Sequence, residues 1–187
     1  MIAEANLSKD ISLGELFSLR LSARPSAWIS FLIVWAVLAI VALVWLKAAF
    51  VPALFAALAA ALLHWLSELT HQLGHAWAAR STGYPMRGIR FWGFLSTCLY
   101  PPEPELPART HIRRALGGPL TSLLLSILAG LLALWAYPQG GLLFYVLAFF
   151  FLDNFFILTL GAFLPLGFTD GSTLLNWLGK SRRQDKH

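Results

Sequence analysis

Four stretches of this chain are too long and too apolar to be buried elements of a water-soluble domain. Ala27 to Leu46 is apolar except for Ser30, and Lys47 ends the run. Ala48 to Trp65 is interrupted only by His64, and Ala115 to Tyr137 only by Thr121, Ser122 and Ser126. Gly141 to Phe168 is interrupted only by Asp153, Asn154 and Thr159. A hydrocarbon layer about 30 Å thick takes about 20 apolar residues as helix. The runs therefore predict four transmembrane helices, near 27–46, 50–79, 115–137 and 141–164, in an all-α polytopic membrane protein. Composition agrees: 58% of residues are hydrophobic and 12% charged, against about 45–50% and about 25% in soluble domains.

The remaining segments punctuate these spans. The first apolar run is too long and starts too late for a signal peptide, and no small-residue cleavage site follows it. Within the N-terminal segment 1–26, Ser12 and Glu15 fit a capping box, and Leu13, Leu16 and Phe17 share one helical face. A short interfacial helix over 12–21 is the expectation. The loop 81–113 is the one substantial extramembrane segment, and Met86 to Tyr100 is β-branched and aromatic enough for one or two short strands. Pro101, Pro102, Pro104 and Pro107 then exclude regular structure. Gly117-Gly118-Pro119 opens the third span and reads as close helix packing. Pro165-Leu166-Gly167 breaks the fourth, Ser172 to Leu178 fits a short helix, and 179–187 is a basic tail.

The net charge of +5 does not call for nucleic acid. All 14 lysines and arginines except Lys47 fall in the N-terminal segment, the 80–114 loop and the C-terminal tail. Four spans put those three on one side, which the positive-inside rule makes the cytoplasm. Both termini are thus expected there, in a prokaryotic plasma membrane. Trp28, Trp45, Trp135 and Tyr137 stand near span ends as interfacial anchors do. Cys98 is the single cysteine, so there is neither an intrachain disulfide nor a thiolate zinc cluster, and it reads as a small apolar residue.

Polar residues inside spans are costly and mark function. His64, Glu68, His71 and His75 are spaced by four, three and four along the second span, within roughly 60° of one another on a helix. Histidines at i and i+4 can aim two imidazoles at one metal ion. A catalytic zinc site needs a third protein ligand and an open position. Asp153, Asp170, Glu68 and His111 are the candidates. Asp170 fits best, because it follows the fourth span at the membrane face where 71–75 lie. Asp153 would stand roughly 25 Å away along a helix, and His111 reads as solvated in a proline-rich loop.

Three ordered elements resemble the site-2 protease family of intramembrane zinc metalloproteases. His71-Gln72-Leu73-Gly74-His75-Ala76 is similar to its His-Glu-Leu-Gly-His-Ala. Gly118-Pro119-Leu120-Thr121-Ser122 is similar to its Gly-Pro-x-x-Asn. Leu164-Pro165-Leu166-Gly167-Phe168-Thr169-Asp170-Gly171 is similar to its Leu-Pro…Leu-Asp-Gly. The resemblance covers 50–178, with 27–46 as an added span on a three-helix core. It implies Zn2+ held by His71, His75 and Asp170, and a transmembrane segment of another membrane protein as substrate or client. A helical peptide bond is shielded, so such a segment must unwind before attack, and the Met86–Tyr100 strands could hold it extended by adding it to a sheet edge.

The chain departs from the family pattern at Gln72, where the family has its general-base glutamate. A carboxamide carries no titrating proton near neutral pH. Three readings follow: an introduced substitution that leaves an inactive enzyme, a native relative that binds metal or clients without cutting, or a relocated base. Glu68, four residues before Gln72, is the candidate for that base. Its other reading is a hydrogen-bond partner that orients His71 or His64, and His64 is expected to bond Glu68. Ser122 replaces the family asparagine and is a candidate substrate contact, and Thr169 replaces a leucine. Outside this family, the polar stripe also admits a di-iron histidine-box enzyme or a proton path through Glu68 and Asp153. No PDZ-like insertion or nucleotide-binding domain is evident.

Overall fold

The computed structural model describes residues 10–184. Lys9 and Lys186, counted above in the two terminal segments, lie outside the described residues. Two strands, β1 (Ile11–Leu16) and β2 (Leu19–Ala23), lead into the helices α1 (Pro25–Val44) and α2 (Phe50–Ser81). A second strand pair follows, β3 (Gly88–Trp92) and β4 (Leu95–Leu99), and then α3 (Ala108–Ala136). The helix α4 (Gly141–Leu152) continues through a π-helical stretch, Asp153–Leu160, and a 3-10 turn, Gly161–Phe163. A last helix, α5 (Asp170–Gln184), closes the chain.

Four helical stretches are long and apolar enough to cross a membrane: Pro25–Val44, Phe50–Ser81, Ala108–Gln139 and Gly141–Phe163. Their large apolar side chains point outward, as Leu32, Val37, Ile40, Leu124, Leu131 and Leu134 do. Alanines fill the inside, among them Ala53, Ala57, Ala61, Ala129 and Ala136. Small residues inside and large ones outside is the pattern of helices packing in lipid, where close backbone approach replaces the hydrophobic drive. The tightest approach is between α2 and α3. A Cβ on Gly74 would collide with the Gly117 carbonyl and the Thr121 side chain, and one on Gly117 with the Gly74 carbonyl.

The expected interfacial helix at 12–21 is instead a β-hairpin. Phe17 and Ser18 both take positive φ, 51° and 65°, which is the two-residue turn that matches strand twist. Gly14, at φ 107°, sits where the β1–β2 register shifts. The helical periodicity is overridden by pairing far along the chain, since β2 runs parallel to β3. The sheet order is β1-β2-β3-β4, with α1 and α2 making the round trip between β2 and β3. Asp10 ties the base of the hairpin to β3, with Arg90 Nε at 2.7 Å and Arg24 Nε at 3.5 Å. One face of the sheet buries Leu19, Ala23, Ile89 and Phe91 against Trp65, Leu69, Leu73 and Ala76 of α2.

The strands expected within Met86–Tyr100 are β3 and β4, and they do not stand off as a loop. They lie along α2 and stitch to its polar stripe. The His64 Nε2–H donates to the Phe94 carbonyl at 3.3 Å, the Ser96 hydroxyl to Glu68, and the Cys98 thiol to Gln72 Oε1 at 2.9 Å. Two strand residues advance about 6.7 Å and four helical residues about 6 Å, so the rungs keep step. Nonhelical backbone beside a membrane helix is tolerated when it is packed on protein or lines a cavity, and β4 does both.

Candidate metal centre

His71 and His75 stand one turn apart on α2, both about 5–6% exposed. Each ring is held by its Nδ1. The His71 Nδ1–H donates to Ser122 Oγ at 2.9 Å, and the His75 Nδ1–H to the Arg114 carbonyl at 2.8 Å. Both acceptors are on α3. With Nδ1 protonated, the Nε2 lone pair of each ring is free, which is the tautomer a metal requires. The two Nε2 atoms are 3.1 Å apart. Asp170 Oδ2, at the start of α5, lies 3.4 Å from His71 Nε2 and 3.3 Å from His75 Nε2.

These three distances fit a metal. Ligand atoms at about 2.0–2.1 Å from a tetrahedral zinc stand about 3.3 Å from one another. Burial would favour the neutral acid of Asp170, but the two imidazoles facing it outweigh burial and hold the carboxyl at about 2. It is thus a carboxylate at neutral pH, as a ligand must be. Among the described residues, His71, His75 and Asp170 form the only such convergent group. Two imidazoles and one carboxylate leave a coordination position open, the donor set of catalytic rather than structural zinc.

Gly118 explains why the ligands can converge. A Cβ there would fall on Nε2 of both His71 and His75, far inside van der Waals contact. The glycine read from the sequence as helix packing therefore leaves open the space in which a metal would sit. Gly171 plays a similar part for Asp170, since a Cβ on it would collide with the Phe163 backbone. The carboxylate is delivered by the turn after α4, cinched by hydrogen bonds from the Thr169 hydroxyl to the Leu164 carbonyl and from Gly167 N–H to Ser172 Oγ at 2.7 Å. The His111 ring stacks on Trp177 at 3.9 Å and 6°, fastening α5 to α3, and Lys180 of α5 covers Trp177 at 4.2 Å. His111 is thus a helical packing residue rather than a solvated loop residue.

One other reading changes. His64 bonds Asp153, both of whose oxygens lie 3.1 Å from Nδ1, and not Glu68. Asn154 Nδ2 donates to Ser67 Oγ at 2.8 Å, so the polar pair in the fourth span makes interhelical hydrogen bonds. Ser122 is about 1% exposed, and its Oγ against His71 Nδ1 is placed to orient that ring. Replacing Ser122 with alanine would leave a buried imidazole N–H unpaired. Zinc affinity should fall about 10- to 100-fold, as losing such an outer partner costs, read by competition with a chromogenic chelator. An unchanged affinity would remove Ser122 from the site.

A cavity of about 730 Å3 opens beside the ligands, with Glu68, Gln72, Ser96, Cys98 and Phe156 in its walls. β4, the edge strand, forms one side. Burial pushes the Cys98 thiol up to about 12, so it is a protonated donor that fixes the Gln72 amide. Cys98 is therefore a wall residue of the site and more than a small filler. Arg114, whose importance the sequence did not signal, also lines it. Its guanidinium grips Glu103 at 2.6 and 2.9 Å and the Tyr84 carbonyl at 2.6 Å, and lies over the Tyr100 ring at 4.3 Å. It pins the proline-rich segment while its own carbonyl holds His75.

No protein-family model matches the sequence, and no curated protein matches it. Among solved structures, the fold is similar to that of the site-2 protease from Methanocaldococcus jannaschii, with a TM-score of 0.60 at 17% identity. The match covers 92% of this chain and 72% of that one. The chain thus has a site-2-protease-like fold: helices able to span a membrane, with a small four-stranded sheet against them.

Proposed function

We propose that this chain is a zinc-dependent intramembrane protease-like protein that takes a transmembrane segment of another protein into its cavity. The observation that carries the reading is the triangle of His71 Nε2, His75 Nε2 and Asp170 Oδ2, with sides of 3.1 to 3.4 Å and an open side. Zinc in that triangle would polarise a peptide carbonyl and lower the pKa of a water. The chain's own residues do the rest. The free edge of β4 can pair an unwound segment as an added strand, and β4 lies in the cavity wall with the ligands. β1 and β2 precede α1 and β3 and β4 follow α2, so all four strands join the same end of that helix pair. The charge distribution supports assigning that end, and both termini, to the cytoplasm.

A second reading is a client-binding relative that does not cut. The hydrogen bond from Cys98 to Gln72 Oε1 favours it, because a neutral carboxamide is built into the wall at the position where the resemblance implies a general base. Gln72→Glu tests the protease reading. In liposomes containing a single-span Ala/Leu peptide with a central Asn-Gly pair, this variant should cleave the peptide about 10²- to 10⁴-fold faster than the parent chain, the usual worth of general-base catalysis. A Gln72→Glu protein that holds zinc and binds the peptide without cutting it would leave the client-binding reading.

A further inference from the structure

Resting on the protease reading above, we propose that Glu68 is the catalytic proton acceptor of this site, in the role Gln72 cannot fill. The alternative role for Glu68, orienting a histidine, is already taken by other groups. His71 Nδ1 is held by Ser122, and His64 is held by Asp153 and the Phe94 carbonyl. Glu68 bonds neither ring. Its hydrogen bond comes from the Ser96 hydroxyl, on the strand that would carry the substrate.

The other acids near the cavity are committed. Asp170 faces the two ligand imidazoles, Glu103 is gripped by Arg114, and Asp153 is paired with His64. Among the described residues lining the cavity, Glu68 is the carboxyl group with neither a cation nor a ligand role. It sits one helical turn, about 6 Å, from Gln72, and lines the same cavity as His71, His75 and Asp170. One intervening water would carry the proton to it. The proton count closes. The attacking water gives one proton to Glu68 as its oxygen bonds the scissile carbonyl carbon. When the C–N bond breaks, Glu68 returns that proton to the leaving amine, and the products are a carboxylic acid and an amine.

The test uses the full chain in liposomes with the same Ala/Leu peptide, and records zinc content and peptide binding beside cleavage. Glu68→Gln keeps an acceptor for Ser96, so a structural brace would tolerate it. The expected result is slow cleavage by the parent chain, lost about 10²-fold or more in Glu68→Gln, with zinc content and peptide affinity unchanged. Glu68→Asp, which keeps a carboxylate, should retain part of the rate. Equal rates in the parent and Glu68→Gln, or equal loss in the Gln and Asp variants, would overturn the proposal. So would a parent chain that never cuts while Gln72→Glu does, and that outcome leaves the protease reading standing. A chain that fails to bind the peptide and never cuts it, with either residue at position 72, sinks both.

Discussion

Gly118→Ala is expected to abolish zinc binding while leaving the helices intact. Gly118 lies inside α3, where alanine is intrinsically favoured over glycine by about 1 kcal/mol. On propensity alone the substitution should stabilise the protein. The added methyl, however, would lie against His71 Nε2 and His75 Nε2 together. Neither ring can retreat without breaking its Nδ1 bond to Ser122 or to the Arg114 carbonyl. Helix α3 cannot back away without opening its close backbone contact at Gly74 and Gly117. Isothermal titration with zinc and circular dichroism on the same sample separate the two effects. Wild-type zinc affinity in Gly118→Ala would contradict the assignment of this space to a metal.

Asp170→Ala carries the second large effect. Removing one of three ligands should weaken zinc binding by well over the roughly 10- to 100-fold that follows loss of an outer partner. The fold should survive, because α5 is fastened independently by the His111–Trp177 stack. Protease resistance of α5 and helical content are the controls. Retention of zinc by this variant would mean that the third ligand is another residue.

Much of this site is legible in the sequence because its determinants are local. Hydropathy marks the spans, and the four-residue spacing of His71 and His75 places both rings on one helical face. Asp170 is legible from its place after the fourth span, at the membrane face of 71–75, and again as part of an ordered motif. What the sequence hides is long-range. Nothing in residues 12–21 announces that β2 will pair with β3 across two intervening helices, so a helical periodicity is read where a hairpin forms. Ser122 and Arg114 become supports of the ligand histidines only when α3 crosses α2. His64 stands four residues from Glu68, yet it turns to Asp153 on the fourth span. Gly118 shows how one residue type can carry two meanings, since a glycine that permits helix contact and one that makes room for a metal look alike in a linear sequence.

The most direct measurement is the metal content of the purified, detergent-solubilised chain beside Asp170→Ala. The account predicts about one zinc per chain in the parent and none in the variant. A parent chain without metal, or one that carries iron in place of zinc, would contradict it.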